Sequence, residues 1–188
     1  LGMDYKPYLL SFSRLAPIQI NTWGHSETSG IDTIDYYFSS KYFESQLSIS
    51  QKYYSEKLIL MDSLSTYYPN LEEYISLKNF KSRKELNFKE TDNIYCCLQA
   101  CFKISNFMID IFNEILTKDK NGIILLSIAF APFSKNFLQK IHNKLNKKTK
   151  RLKFYKMLSL VEYLNLKNIS NIVLDPYPFG GCNSCLES

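Results

Sequence analysis

Alternation of apolar and polar positions is the clearest pattern in the first third of this chain. Three segments there have the period-two pattern of a half-buried strand, namely 16–23 (APIQINTW), 34–39 (IDYYFS) and 57–62 (KLILMD). Residues 70–91 are polar and charged and contain no sustained apolar run. That composition predicts a connection between two structural units.

After residue 91 the pattern changes to alternating strands and helices. The predicted strands are 93–98, 123–129, 151–155 and 171–174, and the predicted helices are 106–117, 134–145 and 160–167, the last with Ser159 as its N-cap. The face expected to be buried on the first helix carries Phe107, Met108, Ile111, Phe112 and Ile115. Strand–helix–strand alternation with short loops predicts parallel βαβ units and therefore an α/β fold.

Composition favours a packed protein without a membrane segment. The 188 residues are 45% hydrophobic and 22% charged, which is enough apolar material for a core. The longest apolar stretch, 123–133, contains Pro132 and is shorter than the roughly 20 residues that a spanning helix needs. No leader pattern is visible, so we expect a cytoplasmic protein without a membrane partner. Because the chain begins with Leu1 rather than Met, we also expect it to be a segment of a longer protein.

The net charge of +5 arises largely from one basic run, 140–156 (KIHNKLNKKTKRLKFYK). Such a run is typical of a solvated helix face or linker, and nucleic-acid binding is the alternative. No RNP-like motif and no Cys/His finger pattern accompanies it. We therefore expect no nucleic-acid partner.

The cysteines give only a weak metal signal. They are Cys96, Cys97, Cys101, Cys182 and Cys185. An odd number without a leader favours reduced thiols. The Cys182-x-x-Cys185 pair is half of a zinc pattern, but Cys97 and Cys101 are too loosely spaced for the common zinc knuckle, and the chain has only two histidines. We expect no metal and no thiol nucleophile.

Ligands of parallel α/β sheets bind at the carboxyl ends of the strands, and three segments fall there. They are 23–30 (WGHSETSG), 99–103 (QACFK) and 180–187 (GGCNSCLE). In the last one, Gly180 and Gly181 let the backbone approach a ligand closely. Asn183 or Ser184 stands where a helix would begin, so free N–H groups favour an anion. Glu187, inside that helix, could accept hydrogen bonds from ribose hydroxyls, and the arrangement suits a nucleoside diphosphate.

Each of these residues also has a plainer interpretation. Asn183 or Ser184 could form an ordinary capping box with Glu187. Lys103 follows a strand closely, so it could reach a phosphate as a point charge or be a solvated lysine at a helix start. His25 could act as a general base, bind a sugar hydroxyl, or do neither. Local spacing leaves these alternatives open.

Five segments, in order along the chain, resemble the signatures of O-GlcNAc-transferase-type glycosyltransferases. The stretch that ends at Gly30, LLSFSRLAPIQINTWGHSETSG, is similar to ARLAPVQ…WGHPxTTG, and IDYYFSS (34–40) with YSEKL (54–58) is similar to DYFISS…YSEKL. QACFKI (99–104) is similar to QSLFKI, and LDPYPFGGCNSCLE (174–187) is similar to LDPFPFGGGNTSLE. The chain departs from these patterns at Ser26, where the family has proline, and at Cys182, where it has a third glycine.

The resemblance implies a GT-B fold, in which two Rossmann-like units hold the donor in the cleft between them. Residues 1–69 would be the end of the N-terminal catalytic unit, and 70–91 would be a connecting segment. Residues 92–188 would be the nucleotide-binding unit, truncated at its C-terminus. Both units are expected to be incomplete in this chain.

The activity implied by the resemblance is metal-independent transfer of a sugar, GlcNAc by analogy, from a UDP-sugar to a protein side chain. No cofactor beyond the UDP-sugar donor is implied, and the chain has no Asp-x-Asp motif. The candidate catalytic residues are Lys103, which would stabilise the leaving diphosphate, and His25. The candidate donor-binding residues are Gln99, Lys103, Gly180, Gly181, Asn183, Ser184 and Glu187. The acceptor could be Ser/Thr or Asn, and the alternative is a truncated or degenerate homologue that binds a nucleotide or a protein without catalysis.

Overall fold

The chain folds into two compact units, Leu1–Tyr68 and Pro69–Ser188. The computed structural model describes residues 4–24, 27–68, 79–129, 131–181 and 183–186. Each unit is built on a sheet in which all the described strands are parallel. The predicted α/β class with two Rossmann-like units is therefore confirmed.

The first unit contains a three-stranded parallel sheet among its described residues, in the order β1-β2-β3. Its strands are Ile20–Thr22 (β1), Tyr36–Ser40 (β2) and Lys57–Met61 (β3), and its helices are Tyr5–Leu10 (α1) and Leu47–Ser50 (α2), the latter followed by a 3₁₀ helix at Gln51–Tyr53. All three strands overlap the predicted segments; β2 ends one residue beyond its segment, at Ser40, and β1 is shorter than predicted. The reason is that the Gln19 N–H donates to the Asp35 carboxylate at 2.8 Å instead of to a neighbouring strand.

The second unit contains four parallel strands among its described residues, in the order β6-β5-β4-β7. The strands are Asn93–Cys97 (β4), Gly122–Ser127 (β5), Leu152–Tyr155 (β6) and Ile172–Val173 (β7). The helices are Asn106–Lys118 (α3), Ala131–Leu145 (α4), Leu160–Asn168 (α5) and Asn183–Leu186 (α6). One helix follows each of β4, β5 and β6, as predicted, and Ser159 caps α5 with Glu162 in a capping box.

The core of the second unit lies on both faces of its sheet. Ile124 and Leu126 of β5 pack with buried residues of α3 and α4 on one face. Leu125, which points the other way, packs with Leu166 of α5 and with Phe88 on the opposite face. This alternation along β5 is the period-two geometry of a strand covered on both sides.

The predicted buried face of α3 is partly wrong. Phe107 is 57% exposed and contacts the ring of Tyr177 at its edge, with centroids 5.7 Å apart. Met108, Ile109, Phe112 and Leu116 are the buried residues of this helix. The apolar stripe is therefore rotated toward Ile109 and Leu116, because α3 packs against both the sheet and α4.

The described part of the predicted connecting segment is packed within the second unit. The Arg83 guanidinium donates twice to the Ile169 carbonyl, at 3.0 and 2.8 Å, and once to Asn171 Oδ1 at 2.8 Å. The Asn165 side chain accepts from the Lys81 N–H at 2.7 Å and donates to the Lys81 carbonyl at 3.0 Å. These contacts attach residues 81–83 to the end of α5, and the predicted domain boundaries remain a prediction.

Arg83→Ala is expected to lower the free energy of unfolding by about 2 kcal/mol or more, because hydrogen bonds from a charged donor are worth about 1.5–3 kcal/mol each. Urea unfolding of the chain followed by circular dichroism measures the change. Lys84→Ala is the matched control, since Lys84 is the next basic residue and is exposed. Equal unfolding midpoints for the two variants would contradict a structural role of Arg83.

Among the residues described, no helix combines the length and the hydropathy that a membrane crossing requires.

Candidate functional site

The carboxyl ends of β4 and β7 bring most of the predicted donor-binding residues together. The two strands are parallel neighbours, with Tyr95 opposite Ile172 and Cys96 opposite Val173. Their carboxyl ends therefore lie at the same edge of the sheet. Gln99 and Lys103 follow β4, and the segment 174–184 follows β7, so residues about 80 positions apart in sequence meet here.

Gln99 and Ser184 are joined directly. The Gln99 side-chain amide donates to Ser184 Oγ. Ser184 in turn donates to the Gly181 carbonyl twice, from its hydroxyl and from its backbone N–H, each at 2.9 Å. These bonds close the turn in which α6 begins at Asn183, and they tie that turn to the end of β4.

Lys103 lies against the same glycine segment. A short 3₁₀ helix, Cys101–Lys103, follows β4 and buries Cys101 in the core, which turns Lys103 toward the segment after β7. Lys103 is half-buried, its Nζ donates to the Gly180 carbonyl at 3.4 Å, and it lies 4.6 Å from the centroid of the Phe179 ring. The result is a cation held at the carboxyl end of the sheet.

Gly180 and Gly181 pack closely against neighbouring side chains. A Cβ at Gly180 would lie 2.7 Å from Asp175 Oδ2, and a Cβ at Gly181 would lie 2.5 Å from Gln99 Nε2. The Gly181 N–H donates to Asp175 Oδ1 at 2.6 Å. The N–H groups of Gly181 and Ser184 are thus engaged within the chain, so a phosphate that binds there must replace those partners.

Two residues of this site were not among the predicted ones. Asp175 accepts the Gly181 N–H, and Lys167 of α5 donates from its Nζ to the Ser184 carbonyl. Lys167 is only 7% exposed, and its Nζ is 5.0 Å from the Tyr163 ring centroid. In the sequence, Lys167 looks like an ordinary lysine in the last turn of a helix. Asp175 stands in the LDPYPFGG segment, so it could have been named as a candidate site residue from the sequence.

The described cysteines do not provide thiolates near neutral pH. Cys96, Cys97 and Cys101 are buried, and Cys185 is exposed. Burial raises the pKa of the Cys97 thiol to about 12, and burial together with the nearby Asp175 carboxylate raises that of Cys185. Among the described residues, no three His, Cys, Asp or Glu side chains are grouped so that they could hold a metal ion.

His25 and Glu187 lie outside the described residues, so their predicted roles stay predictions. Asn183 is the first residue of α6, and its side chain is exposed. The functional roles of Gln99, Lys103, Gly180, Gly181, Asn183 and Ser184 also remain predictions, although the structure brings Gln99, Lys103, both glycines and Ser184 into one cluster.

Comparison with known proteins supports the fold. No protein-family model matches the chain, and no curated protein matches it. A solved structure of a lysine-to-methionine mutant of the O-GlcNAc transferase from Thermobaculum terrenum is similar to it, with a TM-score of 0.72 at 18% sequence identity. The chain therefore has the same fold as the part of the transferase that it matches. The similarity covers 95% of this chain and 33% of the transferase, so the chain spans about a third of its length.

Proposed function

We propose that this chain carries the donor-binding part of a glycosyltransferase that moves a sugar from a UDP-sugar to a protein side chain. The observation that carries the proposal is the convergence of Lys103, Gln99 and Ser184 on the Gly180–Gly181 segment, at the edge where parallel sheets bind ligands. The fold shared with an O-GlcNAc transferase supports it, and GlcNAc is the proposed sugar by that analogy.

Lys103 is proposed to stabilise the leaving group. When the bond between the sugar and the phosphate breaks, negative charge develops on the diphosphate, and a preorganised cation lowers the energy of that transition state. The present Nζ contact with the Gly180 carbonyl is long, at 3.4 Å. A phosphate oxygen would make a shorter charge-assisted hydrogen bond, so donor binding would replace this contact.

The remaining predicted residues are proposed to hold the donor. Gln99 and Ser184, which already bond to each other, would present polar groups to the nucleotide and its phosphates. Asn183 and Glu187 are proposed to contact the phosphates and the ribose, and His25 is proposed to act on the sugar or the acceptor. In this proposal Lys103, and not a metal ion, stabilises the negative charge on the leaving diphosphate. The proposed location of the reaction is the cytoplasm.

A second candidate function is nucleotide binding without catalysis. The observation that favours it is that Asp175 occupies the Gly181 N–H at 2.6 Å and that Ser184 bonds back to the Gly181 carbonyl at 2.9 Å. A negative carboxylate this close to the glycines repels a diphosphate, and the repulsion grows as further negative charge develops on the leaving group, so it opposes transfer more than it opposes binding of the UDP-sugar. Binding of UDP without sugar transfer would support this candidate.

Both candidates can be tested with the protein by two measurements. Calorimetry measures the binding of UDP, and an activity assay measures the release of UDP from UDP-GlcNAc. We expect UDP to bind at least about 10-fold more tightly than uridine, because one charged hydrogen bond to a phosphate is worth more than the 1.4 kcal/mol that a tenfold difference requires. We also expect release of UDP from UDP-GlcNAc in the presence of acceptor proteins. UDP binding without turnover supports the second candidate, and the absence of UDP binding contradicts both.

A further inference from the structure

A buried lysine lies beside the glycine segment of the candidate site. Lys167 is in the last turn of α5, and it is only 7% exposed. Its Nζ donates to the Ser184 carbonyl and lies 5.0 Å from the centroid of the Tyr163 ring. Because the side chains of a helix tilt toward its N-terminus, a lysine in the last turn can lie over a tyrosine one turn earlier. The ammonium group is thus directed into the unit instead of into solvent.

Stabilisation of a helix end does not by itself explain this position. A lysine in the last turn is favoured by the helix dipole even when it is exposed. Lys118 of α3 is such a lysine, since its side chain is 76% exposed and pairs with Glu114 at 2.6 Å. Lys167 differs because it is buried and bonds to a carbonyl of another helix, α6. Burial of an ammonium group is unfavourable unless acceptors compensate for the lost water.

The contact with Lys167 attaches Ser184 from a further side. The Ser184 hydroxyl accepts the Gln99 amide, and its hydroxyl and N–H both donate to the Gly181 carbonyl at 2.9 Å. The Ser184 carbonyl accepts Lys167. Ser184 therefore connects the end of β4, the glycine segment and α5. Lys167 fixes the position of a proposed donor-binding residue from behind.

Lys167 also supplies a positive charge near the Asp175 carboxylate. Both charges act on Cys185, because burial and Asp175 raise the pKa of its thiol, whereas Lys167 acts in the opposite direction. The charges of Lys103 and Asp175 alone would cancel, and the pair would attract a diphosphate only weakly. With Lys167 included, these three groups have a net charge of +1.

We propose that Lys167 is a positioning residue of the UDP site, which holds Ser184 in place and supplies the positive charge that offsets Asp175; this inference rests on the proposed function. Lys167 acts through Ser184 and through its electrostatic potential, without a contact of its own to the phosphates. All the residues that carry the inference belong to the second unit.

The test is the binding of UDP and of uridine to the full-length protein that contains this chain, measured by calorimetry. Lys167→Met keeps an unbranched side chain and removes the charge. We expect it to weaken UDP binding about 5-fold and uridine binding less than about 2-fold, because only UDP carries phosphate charges. Lys118→Met is the matched control, since α3 ends near the start of β5, at the opposite edge of the sheet, and it should leave both affinities unchanged.

Asp175→Asn distinguishes a role of the charge from a purely structural one. Combined with Lys167→Met, it removes the negative charge that Lys167 offsets, while its side-chain oxygen can still accept the Gly181 N–H. We expect this double variant to bind UDP within about 2-fold of the wild-type Kd. Lys167→Arg keeps the positive charge, so it should retain most of the affinity for UDP.

Lys167→Gln covers the case in which Lys167→Met does not fold, because it keeps N–H donors in the buried position and loses only the charge. The same selective loss of UDP affinity is expected. Equal weakening of UDP and uridine binding, an affinity for UDP equal to that of Lys118→Met, or no recovery with Asp175→Asn overturns the inference. A wild-type protein that does not bind UDP overturns the proposed function instead, and this inference with it.

Discussion

Lys103→Ala is expected to lower sugar-transfer turnover about 100- to 1,000-fold, the range seen when one preorganised donor to a developing negative charge is removed. Lys103 is the cation that the structure places on the glycine segment, where its Nζ contacts the Gly180 carbonyl and the Phe179 ring. The substitution deletes that charge and leaves the neighbouring Cys101, which is buried in the core, in place. Folding should therefore be preserved.

The measurement is UDP release under saturating donor, together with a thermal unfolding curve. Lys147→Ala is the matched control, because Lys147 is an exposed lysine just before β6, and thus at the opposite edge of the same sheet from the candidate site. Lys103→Arg should recover part of the activity, since it keeps the charge but changes its geometry. Wild-type turnover in Lys103→Ala would exclude Lys103 from catalysis.

Gly181→Ala is expected to weaken UDP binding at least about 10-fold. The new Cβ would lie 2.5 Å from Gln99 Nε2 and would also meet Ser184 Oγ, so these two side chains, which bond to each other, must move apart to make room for it. Separating them rearranges the turn that leads into α6. The loss of one hydrogen bond to a charged phosphate already exceeds the 1.4 kcal/mol that a tenfold weakening requires.

Calorimetric titration of UDP into the folded variant measures this effect. Gly122→Ala is the control, because its Cβ would meet Asp119 at 3.3 Å at the start of β5, away from the carboxyl ends of the strands. It therefore strains the same unit without touching the candidate site. An unchanged Kd for UDP in a well-folded Gly181→Ala protein would show that Gly181, Gln99 and Ser184 do not contact the donor.

Most strands and helices could be predicted, because buried parallel strands are short apolar runs and the helices between them keep a helical period. β1 was predicted too long, since the Asp35 carboxylate takes the Gln19 N–H, and no local pattern shows that contact. The buried face of α3 was predicted partly wrong for a similar reason. Phe107 is apolar, but it packs at the surface against Tyr177, which is 70 residues away in sequence.

Sequence position alone indicated which segments meet at the candidate site, but not the contacts within it and not Lys167. Segment positions placed Gln99 and Ser184 after different strands, but only the strand order shows that β4 and β7 are neighbours. Lys167 could not be found from sequence, because its partner, the Ser184 carbonyl, is a backbone group that carries no sequence signal. The roles of these residues in binding and catalysis remain predictions that the variants above test.

The position of β7 has a consequence for the order of events during synthesis. Until residue 171 emerges, one side of β4 has no partner strand, and the backbone carbonyls of Ile94 and Cys96 lack the N–H groups of Asn171 and Leu174. The hydrogen bond from Gln99 to Ser184 cannot form until Ser184 has been synthesised, 85 residues later. At about 5–20 residues per second this is a delay of about 4 to 17 seconds. A nascent chain can therefore form the packing of β4, β5 and β6 with α3 and α4 well before the contact between Gln99 and Ser184 can form.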